Sequence, residues 1–94
     1  MAWPENVFVT KDGPLYGGYI EGELSALACF AEEENAEEFA EWCREEGFSQ
    51  NFKPHRIAFD DARRIAKARK LSEYPVTCMV LLDDPDNPEV HYVQ

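Results

Sequence analysis

Cys29, Cys43, Cys78, His55 and His91 are the residues of this chain best suited to covalent or metal chemistry. A cysteine attacks as a thiolate, which needs a neighbouring base, a cation or a helix N-terminus to hold its charge. The surroundings of each cysteine point the other way. Cys29 lies in Leu24-Ser25-Ala26-Leu27-Ala28-Cys29-Phe30, and Cys78 in Val76-Thr77-Cys78-Met79-Val80-Leu81-Leu82, both strand-like apolar runs. Cys43 falls near the end of an acidic helical run, where Glu45, Glu46 and the negative end of the helix dipole oppose a thiolate. All three read as small core hydrophobes. A thiol-dependent enzyme remains an alternative only if the fold brings His55 or His91 to a cysteine.

Neither histidine stands in His-x-x-x-His or His-Glu-x-x-His spacing, and both read as surface or half-buried structural residues. The odd cysteine count and the lack of a Cys-x-x-Cys pair argue against a disulfide framework or a zinc knuckle. Asp83, Asp84, Asp86 and Asn87 suggest calcium superficially, but Pro85 and Pro88 interrupt the spacing and the sharp-bend glycine of a calcium loop is missing. A hairpin turn accounts for them better. Gly13-Pro14-Leu15-Tyr16-Gly17-Gly18 lacks the Gly-Lys-Ser/Thr of a phosphate loop, and no serine occupies a Gly-x-Ser-x-Gly elbow. The expectation is a protein that is not an enzyme, with no catalytic residue, cofactor or metal ligand.

A contact surface is easier to find. Between Glu32 and Gly47 the chain carries eight of its nineteen acidic residues (Glu32, Glu33, Glu34, Glu37, Glu38, Glu41, Glu45 and Glu46) and one base, Arg44. Ala36, Phe39, Ala40 and Cys43 recur at i, i+3, i+4 and i+7, one apolar stripe on an amphipathic helix. Glu34, Glu38, Glu41 and Glu45 line another side, spaced about 5–6 Å apart. Trp42 fits neither: at ~100° per residue it lies roughly 110° from the stripe's centre. Either it is an anchor for a partner within a charged rim, or Trp3-Pro4 or the last strand covers it.

The net charge of −10 repels phosphate backbones and anionic lipid surfaces. Direct nucleic-acid or membrane binding is therefore not expected, and a protein partner is. The opening Met1-Ala2-Trp3-Pro4-Glu5 has no basic and apolar leader pattern. No run approaches the ~20 apolar residues of a membrane span. With three unpaired cysteines, the expected compartment is the reducing cytoplasm. Ninety-four residues, 45% of them apolar, suit a single domain spanning 1–94 with one real core.

The elements follow from punctuation and period. Asn6–Thr10 reads as a strand closed by the turn Lys11-Asp12-Gly13-Pro14. Leu15–Glu21 resumes extended character with two glycines that suggest a bulge or bend. Leu24–Phe30, apolar at every second position and between, reads as a strand interior to a sheet. The acidic helix follows and stops at Gly47. Pro54 confines Phe52–Phe59 to an edge or bulge. Asp60 or Asp61 can cap a second helix through about Leu71, with Ala62, Ile65, Ala66 and the stem of Arg69 inward and Arg63, Arg64, Lys67 and Lys70 outward. Tyr74-Pro75 ends it, and Val76–Leu82 and Glu89–Val93 form a final hairpin. The order βββ-α-β-α-ββ predicts an α+β two-layer sandwich: a mixed, mainly antiparallel sheet of four to six strands with two helices on one face.

The stretch from Leu27 to Cys43, with a strand ending in Phe30 and then Ala36-x-x-Phe39-Ala40, resembles a passage of small bacterial SseB-like domains, in which a strand leads into Phe-Thr-Ser-Glu-Glu-x-Ala-x-x-Phe. The resemblance implies an α+β fold and carries no functional residue across. Ala31 and Glu32 stand where that passage has threonine and serine, so the helix cap differs. The functional expectation is a small acidic cytoplasmic interaction or regulatory module, with Trp42, Glu34, Glu38, Glu41 and Glu45 as its contact residues. Its partner is another protein or a second copy: the anionic first helix of one chain facing the cationic second helix of another would give a homodimer. The alternative is a nucleic-acid mimic that blocks a basic nucleic-acid-binding protein.

Overall fold

The computed structural model describes residues 3–22, 24–48, 50–68, 70–71 and 74–93. A strand of β-branched residues, β1 (Asn6–Asp12), runs antiparallel to the edge strand β5 (Lys53–Ala58) on one side and to β4 (Leu24–Phe30) on the other. β4 pairs in parallel with β8 (Cys78–Leu81), which forms the expected hairpin with β9 (Glu89–Tyr92). Pro54 is tolerated because β5 pairs with β1 alone among the described residues.

The connection from β1 to β4 is unusual. β1 and β4 pair directly at Phe8–Phe30 and Val9–Cys29 and then splay apart. The short strands β2 (Leu15–Tyr16), on β1, and β3 (Gly18–Glu21), on β4, fill the gap. Gly17 is the apex where the chain reverses between them. Its N–H donates to the Thr10 carbonyl at 2.9 Å, and its carbonyl accepts from the Ala28 N–H at 3.1 Å. The glycine-marked bend of the sequence is thus a reversal that stitches the split sheet together. Counting β2 and β3 separately, the main sheet has seven strands among the described residues, more than the four to six expected.

Side chains alternate across a strand, which settles how the sheet is covered. Val7, Val9, Leu27, Cys29, Met79 and Leu81 point to one face, and Ala26, Ala28, Phe30, Cys78 and Val80 to the other; all are buried. Strands apolar on both sides need cover on both. The helix α2 (Phe59–Ala68) packs Ala62 and Ala66 onto the first face. The helix α1 (Glu33–Glu45) packs Ala36 onto the second and sets Ala40 and Cys43 against Phe52. The α+β class, the mixed and mainly antiparallel sheet and the two helices are as expected. The expected placement of both helices on one face is corrected: each covers its own, because the strands are apolar on both sides.

α2 also departs from expectation at its ends. It starts at Phe59, whose N–H donates to the Glu5 carbonyl at 2.8 Å, so Asp60 and Asp61 lie in the first turn instead of capping it. It ends at Ala68, before Leu71, and β6 (Lys70–Leu71) pairs with β7 (Tyr74–Pro75) as a separate two-stranded sheet. The expected packing of Arg69 lies outside the described residues. At the far end of α1, Gly47 has φ +80, Phe48 N–H reaches the Cys43 carbonyl at 2.9 Å and Gly47 N–H the Arg44 carbonyl at 3.2 Å. This paired C-terminal closure requires a left-handed residue, which glycine supplies without strain. Among the described residues no helix is long and apolar enough to cross a membrane.

Candidate functional site: an aromatic groove with an acidic rim

α1 presents Phe39 and Trp42 three residues apart, and its glycine stop folds Phe48 back beside them. The rings form a ladder that climbs from the core to solvent. Ring centroids are 5.4 Å apart for Phe30 and Phe39, 5.9 Å for Phe39 and Trp42, and 5.5 Å for Trp42 and Phe48. Phe30 is 3% exposed, Trp42 48% and Phe48 69%. The rings lean on one another with no gap between them, so they make a platform rather than a cage for a lone cation. The platform is one wall of a groove of about 820 Å³, to which Tyr19, Leu82 and Glu38 also contribute.

Trp42 therefore lies where its helical angle put it, outside the buried stripe. Neither Trp3 nor the last strand covers it. Trp3 stacks edge-on against Phe59 at 5.6 Å and His91 at 6.1 Å, on the α2 face of the sheet. Of the four glutamates singled out with Trp42, Glu38 reaches the groove lining, while Glu34, Glu41 and Glu45 are exposed along α1. None of the four is in an ion pair among the described residues. The cationic Arg63, Arg64 and Lys67 lie exposed on α2, across the sheet, and so do not neutralise this face.

Two residues build the site without standing out in the sequence as its builders. Asp83, which the sequence places in a hairpin turn, directs its carboxylate onto the start of α1. It accepts from the Ala31 N–H at 2.6 Å, the Glu32 N–H at 3.1 Å and the Asn35 side-chain amide at 2.7 Å. Glu32, at the N-cap position, makes no side-chain cap of its own. The absence of a capping residue at Ala31 and Glu32 is the available signal that a remote group must serve. Asp84 meanwhile holds the turn, accepting from the Asp86 N–H at 3.1 Å and the Asn87 amide at 3.3 Å. Gly17 is the second. A Cβ there would stand 2.0 Å from Thr10 Oγ1 and 2.8 Å from Phe39 Cε2, so the bare backbone is what allows Phe39 to sit beneath Trp42.

All three cysteines are buried. Cys29 and Cys78 donate to the carbonyls of Leu27 and Ser25 at 3.7 Å each. Burial pushes all three thiols above the ordinary cysteine range, and for Cys29 the charge of Asp83 adds to it. His55 is exposed on β5 opposite Val9, and His91 packs its ring 5.1 Å from that of Phe59. No cluster of three or more metal-ligating side chains occurs among the described residues. The raised thiols fix an expected result. At neutral pH, iodoacetamide should alkylate the folded protein markedly more slowly than the denatured chain, because the raised thiols hold a smaller share of thiolate and are buried away from the reagent. Rates should climb only at alkaline pH. A thiol faster than free cysteine would reopen the enzyme alternative.

Comparison of the chain with protein-family models, curated proteins and solved structures finds no match.

Proposed function

We propose that the chain is a protein-interaction module rather than an enzyme, and that the groove along α1 is its contact surface. The observation that carries this reading is the ring ladder ending in half-exposed Trp42 and largely exposed Phe48. Aromatic side chains held rigidly against a core, with polar groups around them, are the usual energetic anchors of protein interfaces. A core-supported apolar platform in contact with water marks a binding site more often than isolated surface leucines do. Three buried, unpaired thiols support a reducing compartment, the cytoplasm.

A second reading, the nucleic-acid mimic, is favoured by one observation: the exposed carboxylates of Glu34, Glu38, Glu41 and Glu45 face away from the basic α2. Self-association is the form of the first reading in which a second copy is the partner. Reciprocal α1–α2 pairing across a twofold axis is disfavoured, since the two helices cover opposite faces of the sheet. A homodimer would instead join at Trp42, and a protein monomeric at tens of micromolar in sedimentation excludes it.

Retention of proteins from a lysate on immobilised wild type and Trp42→Ala, at about 0.1 and 0.5 M salt, separates the readings. A groove partner survives the higher salt and is lost with Trp42. A mimicry target is a nucleic-acid-binding protein, is lost with salt and ignores Trp42→Ala.

A further inference from the structure

We infer that the groove receives an extended, basic segment of a partner protein, which adds to the sheet as a strand on β3. This rests on the groove being the contact surface and goes further, naming the partner's conformation and charge.

The backbone of β3 carries the inference. The Ala28 N–H to Gly17 carbonyl bond makes Gly17–Ala28 a hydrogen-bonded pair of the β3–β4 ladder. In an antiparallel ladder such pairs alternate with pairs whose backbone groups point outward. Tyr19, opposite Ala26, and Glu21, opposite Leu24, therefore direct their N–H and C=O groups to β4, whereas Gly18 and Ile20 direct theirs away from it. Among the described residues β3 pairs with β4 alone, while β2, its neighbour across the Gly17 reversal, pairs with β1. Gly18 and Ile20 both line the groove. The edge of β3 that faces away from β4 thus borders the groove whose wall is the aromatic platform.

An added strand would satisfy the backbone groups of Gly18 and Ile20 and lay alternate side chains against Phe39, Trp42 and Phe48. A helix in the same groove would desolvate those groups without pairing them, at a cost. The charge of the segment follows from the rim. Glu38 lines the groove, Glu34, Glu41 and Glu45 continue along the same helix, and the chain carries −10 overall. Lysine or arginine at the positions between the apolar side chains is complementary, and an acidic segment is repelled.

The test is a titration of isotope-labelled protein, read by NMR, with synthetic ten-residue peptides. One alternates lysine with valine or leucine. A second pair is the same peptide N-methylated at alternate residues, in either phase. A third has the same composition in helical order, and a fourth replaces lysine by glutamate. The alternating peptide should shift the Gly18 and Ile20 amides and the Trp42 indole and slow exchange of both amides. Methylation in one phase should weaken binding at least about tenfold, through loss of the new backbone hydrogen bonds. The glutamate peptide should fail to bind.

Tighter binding of the helical peptide, with Gly18 and Ile20 exchange unchanged, overturns the strand inference and leaves the groove standing. Shifts confined to β5 or β9, the outer edges of the sheet among the described residues, overturn it too. Concentration-dependent shifts of the same resonances without peptide would identify a second copy as the occupant and overturn the foreign segment. No shift of Trp42 with any peptide overturns both the strand and the groove.

Discussion

Gly17→Ala should lower the melting temperature by about 10 °C or more, or prevent folding. Inserting a methyl into a packed site costs roughly 1–3 kcal/mol where neighbours can yield. Here they yield poorly. The backbone is tied to Thr10 and to Ala28 by its own hydrogen bonds, so it cannot withdraw from contacts of 2.0 Å to Thr10 Oγ1 and 2.8 Å to Phe39 Cε2. For a domain of this size each kcal/mol is worth ~4–8 °C. Thr10 Oγ1 is buried with no hydrogen-bond partner among the described residues, so the clash has a separable part. Thr10→Ala/Gly17→Ala should recover about 1 kcal/mol relative to the sum of the single changes, a coupling that thermal melts of all four proteins would reveal. The remaining loss belongs to Phe39, which must move and take the footing from under Trp42. A single variant that melts within two or three degrees of wild type would mean that Gly17 is not the pinch point between sheet and groove.

Asp83→Ala should cost about 2 kcal/mol in chemical denaturation. One carboxylate serves the Ala31 N–H, the Glu32 N–H and the Asn35 amide, at the end of α1 where the helix dipole favours negative charge. Removing a helix cap costs roughly 0.5–2 kcal/mol, and hydrogen bonds to a charged acceptor lie at the upper end. Asp83→Asn keeps one acceptor oxygen and should fall between the two. The effect reaches the groove as well, since Asp83 and Pro85 close its end near the start of α1. A loss below 0.5 kcal/mol for the alanine variant would show that Glu32 or solvent takes over the cap.

Local rules and non-local pairings divide what the sequence reveals. The stripe Ala36, Phe39, Ala40 and Cys43, the stop at Gly47 and the edge position of Pro54 each depend on residues within a turn or two, and each is legible. Trp42 stands out for the same reason, as an indole at the wrong helical angle. The reversal at Gly17 is not legible, because it depends on the point where β1 and β4 part company. The Asp83 cap joins residues 48 to 52 positions apart. Only the missing cap at Ala31 and Glu32 hints at it. The division of the helices between two faces is foreshadowed by β4 and β8, whose unbroken apolar runs need cover on both sides. The C-terminal limit of α2 carries no comparable signal, since Lys70 and Leu71 are good helix formers drawn into pairing with Tyr74 and Pro75.

The groove is tested most directly by the affinity of a retained partner for wild type, for Trp42→Ala and for a protein with Glu34, Glu38, Glu41 and Glu45 all changed to glutamine. The measurement belongs at raised salt, with the melting temperature of each variant as the control for folding. Trp42→Ala should weaken binding at least about 30-fold, which is roughly 2 kcal/mol and the mark of an interface anchor. The glutamine variant should change less, because its exposed carboxylates are already screened. Affinity kept without Trp42 and lost without the four carboxylates would contradict this and move the contact surface from the aromatic groove to the acidic face of α1.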